Sequence, residues 1–551
     1  MSEDADEAML KAIFKAIAAT ALSCAAPLAA QSPLDRADPS VIEEELRRPE
    51  RPAPAAKPPL VVDTASRPAP AAAQGVTAGA IRIDGATMLP QSAFAPVIER
   101  YAGRRLSPAE LQSLAGEVAD VARAAGFGLA TAWVAQQRVS NGILRVTLDE
   151  GRIDEIRAEG SAAEVVNRML APLADGRPVR TARLERQLLL AADLPGVRVG
   201  QARVDRRGGR TLLRLRAERD RLQGRALLDN WGPSSVGPVR AHLSGDLNGV
   251  FADDDQLTVG GVMTALDPEE FGLIRAGYSK MLGRGGTEAG VYGYLAGSRP
   301  GGFDDRVDGG SREASALLSH AFHRSRASGL TADLEFTLRR ATQNFRGARL
   351  RDDRLATLTA SAQAFAKLGE GRGRLRAALV QGLDLFDATL EGDPRASRPD
   401  GSAVFTKLEV SGAYDRPLGQ RVSMSVQAEG QIASRALLAS EEMGLGGRYF
   451  LRGYDYRELS GDTGFAASVE LRFDLASPPR PVRAAQIYGY ADAGAVDDRG
   501  RGIGGGSLAS AGGGSRFWLR DAEGSIELGI PIGGSDRRRD PRLSFTLGTR
   551  F

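Results

Sequence analysis

From Leu222 to the end of the chain, apolar and polar residues alternate one by one in segments cut by Gly, Asp and Pro. In the stretch from Val422, the side chains of Val422, Met424, Val426 and Ala428 fall on one face, and Ser423, Ser425, Gln427, Glu429 and Gln431 on the other. Leu543, Phe545, Leu547, Thr549 and Phe551 repeat the pattern, with Ser544, Thr546 and Arg550 opposite. A period of two residues is the mark of a strand with one apolar face. About sixteen such segments of roughly 10 to 13 residues are expected between Leu222 and Phe551. Their connections alternate in length. Ser298–Ser311, Thr342–Arg354, Phe386–Gly401, Ala433–Gly461 and Val496–Ala509 read as long, whereas Gly283–Thr287, Gly369–Arg374 and the turn near Asp521 read as short. Long loops on one side, short turns on the other and an even strand number predict a transmembrane β-barrel. In lipid every backbone group must pair within the sheet, so the sheet has to close. About sixteen strands leave an aqueous lumen.

The chain before Leu222 follows a different rhythm. Ala80–Gly85 alternates as a strand, and Ser92–Ala102 and Ser107–Ala125 show the helical period. Ser107-Pro108-Ala109-Glu110 is a capping box, and Leu111, Leu114, Val118 and Val121 form one stripe. Ala130–Val139 and Gly142–Glu150 read as strands. The unit repeats: a strand at Arg152–Arg157, helices at Ala162–Leu173 and Arg180–Ala192, and strands at Gly200–Arg206 and Arg210–Glu218. Two copies of one small α+β module are expected, over residues 80–151 and 152–220.

Ahead of the modules, Lys11 and Lys15 precede an apolar run, Ala16–Ala26, and small residues reach Ala30 before Gln31. Residues 1–30 therefore read as an export signal, with Met9 as an alternative start. Ala21-Leu22-Ser23-Cys24 resembles a lipidation site with Ala where Leu is usual. Residues 31–79 would hold a short helix at about 39–48, capped by Asp38 or Ser40, and a Pro/Ala-rich extended linker. The mature chain has no apolar stretch long enough for a membrane helix, which needs about 20 residues.

Composition narrows the chemistry. With 551 residues, a net charge of +3 and a single cysteine, the chain gives no reason to expect nucleic acid and excludes an intrachain disulfide framework. His242, His320 and His323 leave little for metal binding, since the last two, three apart on a strand, should face opposite sides. There is no G-x-x-x-x-G-K-[ST] and no G-x-S-x-G, and Gly502–Ser507 reads as a flexible loop. No cofactor and no enzymatic activity are expected.

One loop is unusual. Phe450-Leu451-Arg452-Gly453-Tyr454 places apolar and aromatic residues around one arginine, a pattern that suits packing on the outer rim or burial in the lumen. On the strand that follows, Val469, Leu471, Phe473 and Leu475 share the apolar face, opposite Glu470, Arg472 and Asp474. On Ala484–Gly494, the residues Gln486, Tyr488, Tyr490, Asp492 and Gly494 share the lumen face, while Ala485, Ile487 and Ala491 face lipid.

Three fragments in this order resemble a known family. They are Asp229-Asn230-Trp231-Gly232 with Gly237, then Leu451-Arg452-Gly453-Tyr454, and then Tyr490-Ala491-Asp492-Ala493-Gly494. Together with the helix, linker and two repeats they resemble the outer-membrane transporters of two-partner secretion, the TpsB haemolysin activation/secretion proteins. The resemblance implies two periplasmic POTRA domains (80–151 and 152–220) and a 16-stranded barrel (221–551). It also implies a client, a large exported TpsA-type adhesin or haemolysin received unfolded by β-augmentation. Within the family the sixth extracellular loop folds into the lumen, so Arg452 is expected to pair with Asp492. Gly453 would allow the turn, and the helix at 39–48 would plug the pore at rest. A related class, the barrel-assembly factors of the same superfamily, is the alternative; these usually carry more POTRA units. A plain diffusion porin fits the repeats poorly, although some ion leakage is expected.

Overall fold

In the computed structural model the described residues are 38–42, 61–62, 76–137, 139, 141–207, 210–301, 307–500, 504–534 and 540–551. The expected export signal, Cys24, the helix beyond residue 42, most of the linker and residues 501–503 lie outside them.

Sixteen antiparallel strands, from Leu222–Asp229 to Arg542–Arg550, form a closed barrel. The first and last pair directly, from Arg225↔Arg550 to Asp229↔Thr546. Closure leaves no edge in the lipid, where an unpaired amide would cost several kcal/mol. Leu243, Leu295, Ile532 and Leu543 are exposed on the outer wall, which would be anomalous in water and is the expected lipid face of a barrel. Their polar neighbours turn inward.

The strands are longer than the alternation suggests in one sector. Val307–Arg324 and Ser328–Phe345 each have 18 residues, and Ala348–Leu368 has 21. The expected long loop Thr342–Arg354 is therefore strand at both ends. Arg346 and Gly347 join the two in a tight turn with φ of 50° and 77°, as a type I′ hairpin requires. Polar residues on both faces there mark emergence from the bilayer, which alternation cannot distinguish from a loop. For the same reason the expected loop Val496–Ala509 shortens to 498–505, because strands run to Asp497 and from Gly506. A second correction concerns the histidines. A bulge between Ala321 and His323 sets His320 opposite Ala332 and His323 opposite Leu330, so both lie on one face of the wall. They stay apart in bonding: His320 Nδ1 meets Thr287 Oγ1 at 2.8 Å, and His323 Nε2 meets Ser328 Oγ at 3.0 Å.

Two α+β modules precede the barrel. In the first, Ala80–Asp84 runs parallel to Ile143–Asp149, which pairs antiparallel with Thr131–Trp133. Helices α1 (Ala95–Tyr101) and α2 (Pro108–Ala124) cover the sheet. The Ser107–Glu110 capping box is formed, and Leu111, Leu114 and Val118 are buried against Ile81, Ile83, Leu144 and Val146. Such burial stabilises by about 1.5–3 kcal/mol per large side chain. The strand expected at Ala130–Val139 pairs only over Thr131–Trp133. The side-chain amide of Gln137 bonds the backbone of Arg145 in both directions, at 2.7 and 3.0 Å, in place of a backbone rung. Pairing also starts before Ala80, since Val76–Ala78 joins Arg104–Leu106.

In the second module, Arg210–Arg219 pairs with Arg203–Arg207, Val197–Val199 and, in parallel, Glu155–Glu159. Its first strand starts at Glu155 instead of Arg152, because the Asp154 carboxylate turns to accept the Thr211 amide at 2.7 Å. Helices α3 (Ala163–Leu170) and α4 (Thr181–Ala192) pack on it. Val61–Val62 of the linker adds to the outer edge, parallel to Arg203–Val204. Helix α4 also docks on the barrel turns. The Arg186 guanidinium donates to the carbonyls of Gly285 (2.9 Å) and Ala321 (2.6 Å), and Gln187 to that of Arg284 (3.0 Å). Just past the helix, Asp193 takes both Nε and Nη2 of Arg324, at 2.8 and 3.0 Å. The module is therefore fixed at the rim of the lumen, at the short-turn end of the barrel.

Candidate functional site

The chain between strands Val422–Ala433 and Thr463–Asp474, residues 434–462, returns into the barrel. A short hairpin, Met443–Leu445 with Leu459–Gly461, supports it. Its tip is apolar because it is buried. Met443, Leu445, Phe450, Leu451, Tyr454 and Leu459 pack with Ala466, Val496 and Leu508 of the wall in one cluster. That placement resolves the choice left open by the loop's composition: it occupies the lumen.

Arg452, only 6% exposed, stands at the centre. Its Nε and Nη2 bond the two oxygens of Asp492, each at 3.1 Å, and its backbone amide reaches Asp492 Oδ2 at 3.1 Å. Nη1 faces Glu470 (2.9 Å) and Glu527 (3.4 Å), and Nη2 also donates to Ser468 Oγ at 3.1 Å. Every guanidinium hydrogen thus has an acceptor, which a lysine could not achieve. The Tyr490 ring lies 3.3 Å from the guanidinium carbon, measured to its centroid, within cation–π range. Tyr488 stacks beyond Tyr490, and Arg516 lies over Tyr488 at 3.8 Å while binding Glu470 at 2.7 and 3.0 Å. Arg472 binds the same Glu470 at 2.6 Å and reaches Asp415 at 3.1 Å.

The three motif positions of the wall strand act on different parts of the loop. Tyr490 stacks on the guanidinium and Asp492 binds it. A Cβ on Gly494 would lie 3.0 Å from Leu445 and 3.2 Å from Leu451, so this glycine makes room for both leucines. Tyr454 fixes the far end of the tip through its hydroxyl, whose one hydrogen is shared between the carbonyls of Ala509 (3.0 Å) and Gly533.

Gly453 has a different role from the one expected. Its φ is negative, and the left-handed residue of the tip is Leu451, at φ 58°. A Cβ on Gly453 would meet the backbone of Ile530 and Pro531 at 2.9 Å, and one on Gly529 would meet the Arg452 carbonyl at 2.7 Å. Two glycines therefore let loop backbone touch wall backbone. The cost of αL at a branched side chain, of order 1–3 kcal/mol, falls on Leu451 and is held by its complete burial.

Several participants were not singled out by motif. For Glu470 the alternation gives only its place opposite the apolar face of its strand. Glu527 shows itself in the alternation of Ile526, Leu528, Ile530 and Ile532, which face lipid and leave it inside. A second buried arginine, Arg398, has no motif signal. It binds Asp400 (2.8 Å), Glu442 (3.1 Å) and Asp462 (2.9 Å), with Asp498 at 3.6 Å. It thereby ties the loop before Thr406 to residues 434–462 and to the loop after Asp497. Burial pushes the Glu442 carboxyl up to about 7.

The other family-like fragment lies at the barrel seam. Asp229 is buried against Arg240 (3.1 Å) and His242 (3.0 Å). The side chain of Asn230 bonds the Leu543 carbonyl at 2.9 Å and the Phe545 amide at 2.7 Å, adding a rung beyond the paired strands. Arg542 joins this seam to the loop, donating to the Tyr454 carbonyl (2.8 Å) and Asp455 (3.2 Å).

Residues 38–42 also occupy the lumen. Asp38 caps the helical turn through the Ser40 amide at 2.9 Å, Ile42 packs on Val236, Phe271, Leu273 and Tyr294, and the Tyr456 hydroxyl donates to the Val41 carbonyl at 2.8 Å. At the short-turn mouth of the barrel, a cavity of about 550 Å³ is lined by Arg324, Lys367, Arg372, Arg374 and Arg472 together with Leu189 of α4. Among the described residues no group of three or more His, Cys, Asp or Glu could hold a metal ion.

Comparison with known proteins gives a consistent picture. The family profile "Haemolysin secretion/activation protein ShlB/FhaC/HecB" matches residues 209–517, and the ShlB-type POTRA domain matches residues 76–151. An outer membrane transporter CdiB of Escherichia coli O6:K15:H31 (strain 536 / UPEC) is 24% identical over 485 residues, 83% of this chain and 79% of the relative. The heme/hemopexin transporter protein HuxB of Haemophilus influenzae (strain 86-028NP) is 23% identical over 395 residues, 69% of each chain. The solved structure of CdiB from Escherichia coli superposes with a TM-score of 0.74 at 22% identity, covering 95% of this chain and 100% of that one.

Proposed function

As this chain belongs to the ShlB/FhaC/HecB family of haemolysin secretion/activation proteins, we propose that it exports one large TpsA-type adhesin or haemolysin, without nucleotide and without catalysing a reaction. The protein is an outer-membrane transporter with POTRA domains in the periplasm, and it secretes an exoprotein by two-partner secretion. The absence of a Walker-type motif supports the nucleotide-free reading. Folding of the client outside the cell would make the outward step irreversible.

The observation that carries the mechanism is the seating of Arg452 on Asp492, Glu470 and Glu527. A loop held by one fully bonded guanidinium can be in or out but not half seated, since partial withdrawal strands buried charge. In this reading Leu451–Tyr454 is the transport-loop tip, and Tyr490, Asp492 and Gly494 form its receptor. The receiving edge for the client is Arg203–Arg207 of the second POTRA domain. Support comes from the linker, whose Val61–Val62 already pairs with that edge as an added strand. The turn at 38–42 acts as the resting plug. Replacing Ile42 by Asp, which buries a charge among Val236, Phe271 and Leu273, is expected to expel the turn and raise single-channel conductance in planar bilayers. Unchanged conductance would count against a plug.

The function is tested by the secreted protein profile of the native bacterium with and without the gene. One large protein should vanish from the medium while other outer-membrane barrels keep their levels. If many barrels fall together, the protein is an assembly factor instead.

A further inference from the structure

On the outer wall, Arg312, Arg340 and Arg354 form a row across three adjacent strands. Arg312 pairs directly with Arg340, and Arg340 with Arg354. They share the face of Leu334, Phe336, Leu338 and Leu358, so they point away from the lumen. Like charges directly opposite one another destabilise a sheet unless an anion lies between them.

The row has a definite depth. Below it on its own strand the outward residues are Leu330, Ala332, Leu334, Phe336 and Leu338. The ten positions from Leu330 to Arg340, at about 3.3 Å each and inclined by about 40°, rise roughly 25 Å, the height of the apolar band of such barrels. The arginines therefore sit where the hydrocarbon ends on the extracellular side. Beside them, Phe386 is 67% exposed, and Leu385 is exposed too. The next residue, Asp387, binds Arg354 at 3.2 Å, which puts this apolar pair next in the chain to a residue of the row's surroundings.

Among the described residues, the anions bonded to the row leave it positive. Asp352 takes Arg340 at 2.7 Å and lies 3.5 Å from Arg354, and Asp387 is the only other carboxylate bonded to the row among the described residues. Two carboxylates face three guanidiniums, and Arg312 is exposed.

We propose that the Arg312–Arg340–Arg354 row, with Phe386 beside it, binds the phosphate groups of an anionic glycolipid of the outer leaflet. Guanidinium forks match phosphate oxygens bidentately, and an aromatic ring at the interface suits the junction of sugar and acyl chains.

The test uses the full chain purified in detergent, with bisphosphorylated lipid A, its dephosphorylated form and inorganic phosphate as probes. Wild type should retain phosphorylated lipid A through washing, read by native mass spectrometry. Arg312→Gln/Arg354→Gln should retain it at least about tenfold less, as expected for loss of two charge-assisted contacts. Arg312→Gln alone, at an exposed side chain, should show an intermediate loss even if the double variant is poorly folded. Equal retention by the variants, or by the dephosphorylated lipid, would overturn the proposal. Thermal stabilisation by inorganic phosphate equal to that by lipid A would overturn the lipid assignment.

Discussion

Replacing Arg452 by alanine is expected to abolish secretion of the client while the barrel remains in the outer membrane. The substitution removes all five guanidinium hydrogens at once and leaves Asp492, Glu470 and Glu527 buried near one another. Breaking a buried ion pair from one side costs about 3–5 kcal/mol, because the partner charge stays behind. The sixteen-stranded ladder does not depend on this contact, so heat-modifiable migration on a gel should stay normal. Arg452→Lys should recover only part of the activity, since one ammonium cannot bridge three carboxylates and stack flat on Tyr490. The readout is client in the medium against barrel in the membrane. Normal secretion by Arg452→Ala would dismiss the latch.

Gly453→Val is expected to have a comparable effect without changing any charge. Its Cβ would lie 2.9 Å from the backbone of Ile530 and Pro531, atoms of the wall that cannot step aside as a flexible side chain can. Overpacking of this kind costs roughly 1–3 kcal/mol, here concentrated on the residue next to the arginine. Gly453→Ala should fall between wild type and Val. Gly419→Ala, at a glycine whose Cβ would meet nothing within 4 Å, should secrete normally. Secretion counts with constant barrel levels decide it. If Gly453→Val exports at the wild-type level, the tip has more room than its wall contacts allow.

Much of this was legible in the sequence, for identifiable reasons. Strand faces follow from a period of two, which puts Tyr490 and Asp492 in the lumen and Glu470 opposite the apolar face of its strand. Alternation fails where both faces meet water, so the extension around Arg346-Gly347 was read as a loop. It also cannot carry register across a bulge, which is why His320 and His323 turned out to share a face. The role of Gly453 is not legible locally, because a glycine in a tip suggests a special φ. Here the special φ belongs to Leu451, which burial holds in place. Long-range partners such as Glu527, or the carboxylates around Arg398, depend on which strands and loops converge. No local pattern encodes that.

The charge ledger of the lumen wall has one more implication. Arg374, Arg452, Arg472 and Arg516 face Asp415, Asp492, Glu470 and Glu527, so with all eight ionised the cluster is neutral while the loop is seated. Withdrawal of the loop removes one positive charge and leaves this cluster with a net charge of −1 in a confined, poorly screened space. The vacated seat would thus attract a cation. A lysine or arginine of the passing polypeptide could occupy the vacated seat, competing with Arg452 for it. Resetting the transporter would then wait on the departure of the client's last basic residue, which links closure to the completion of export.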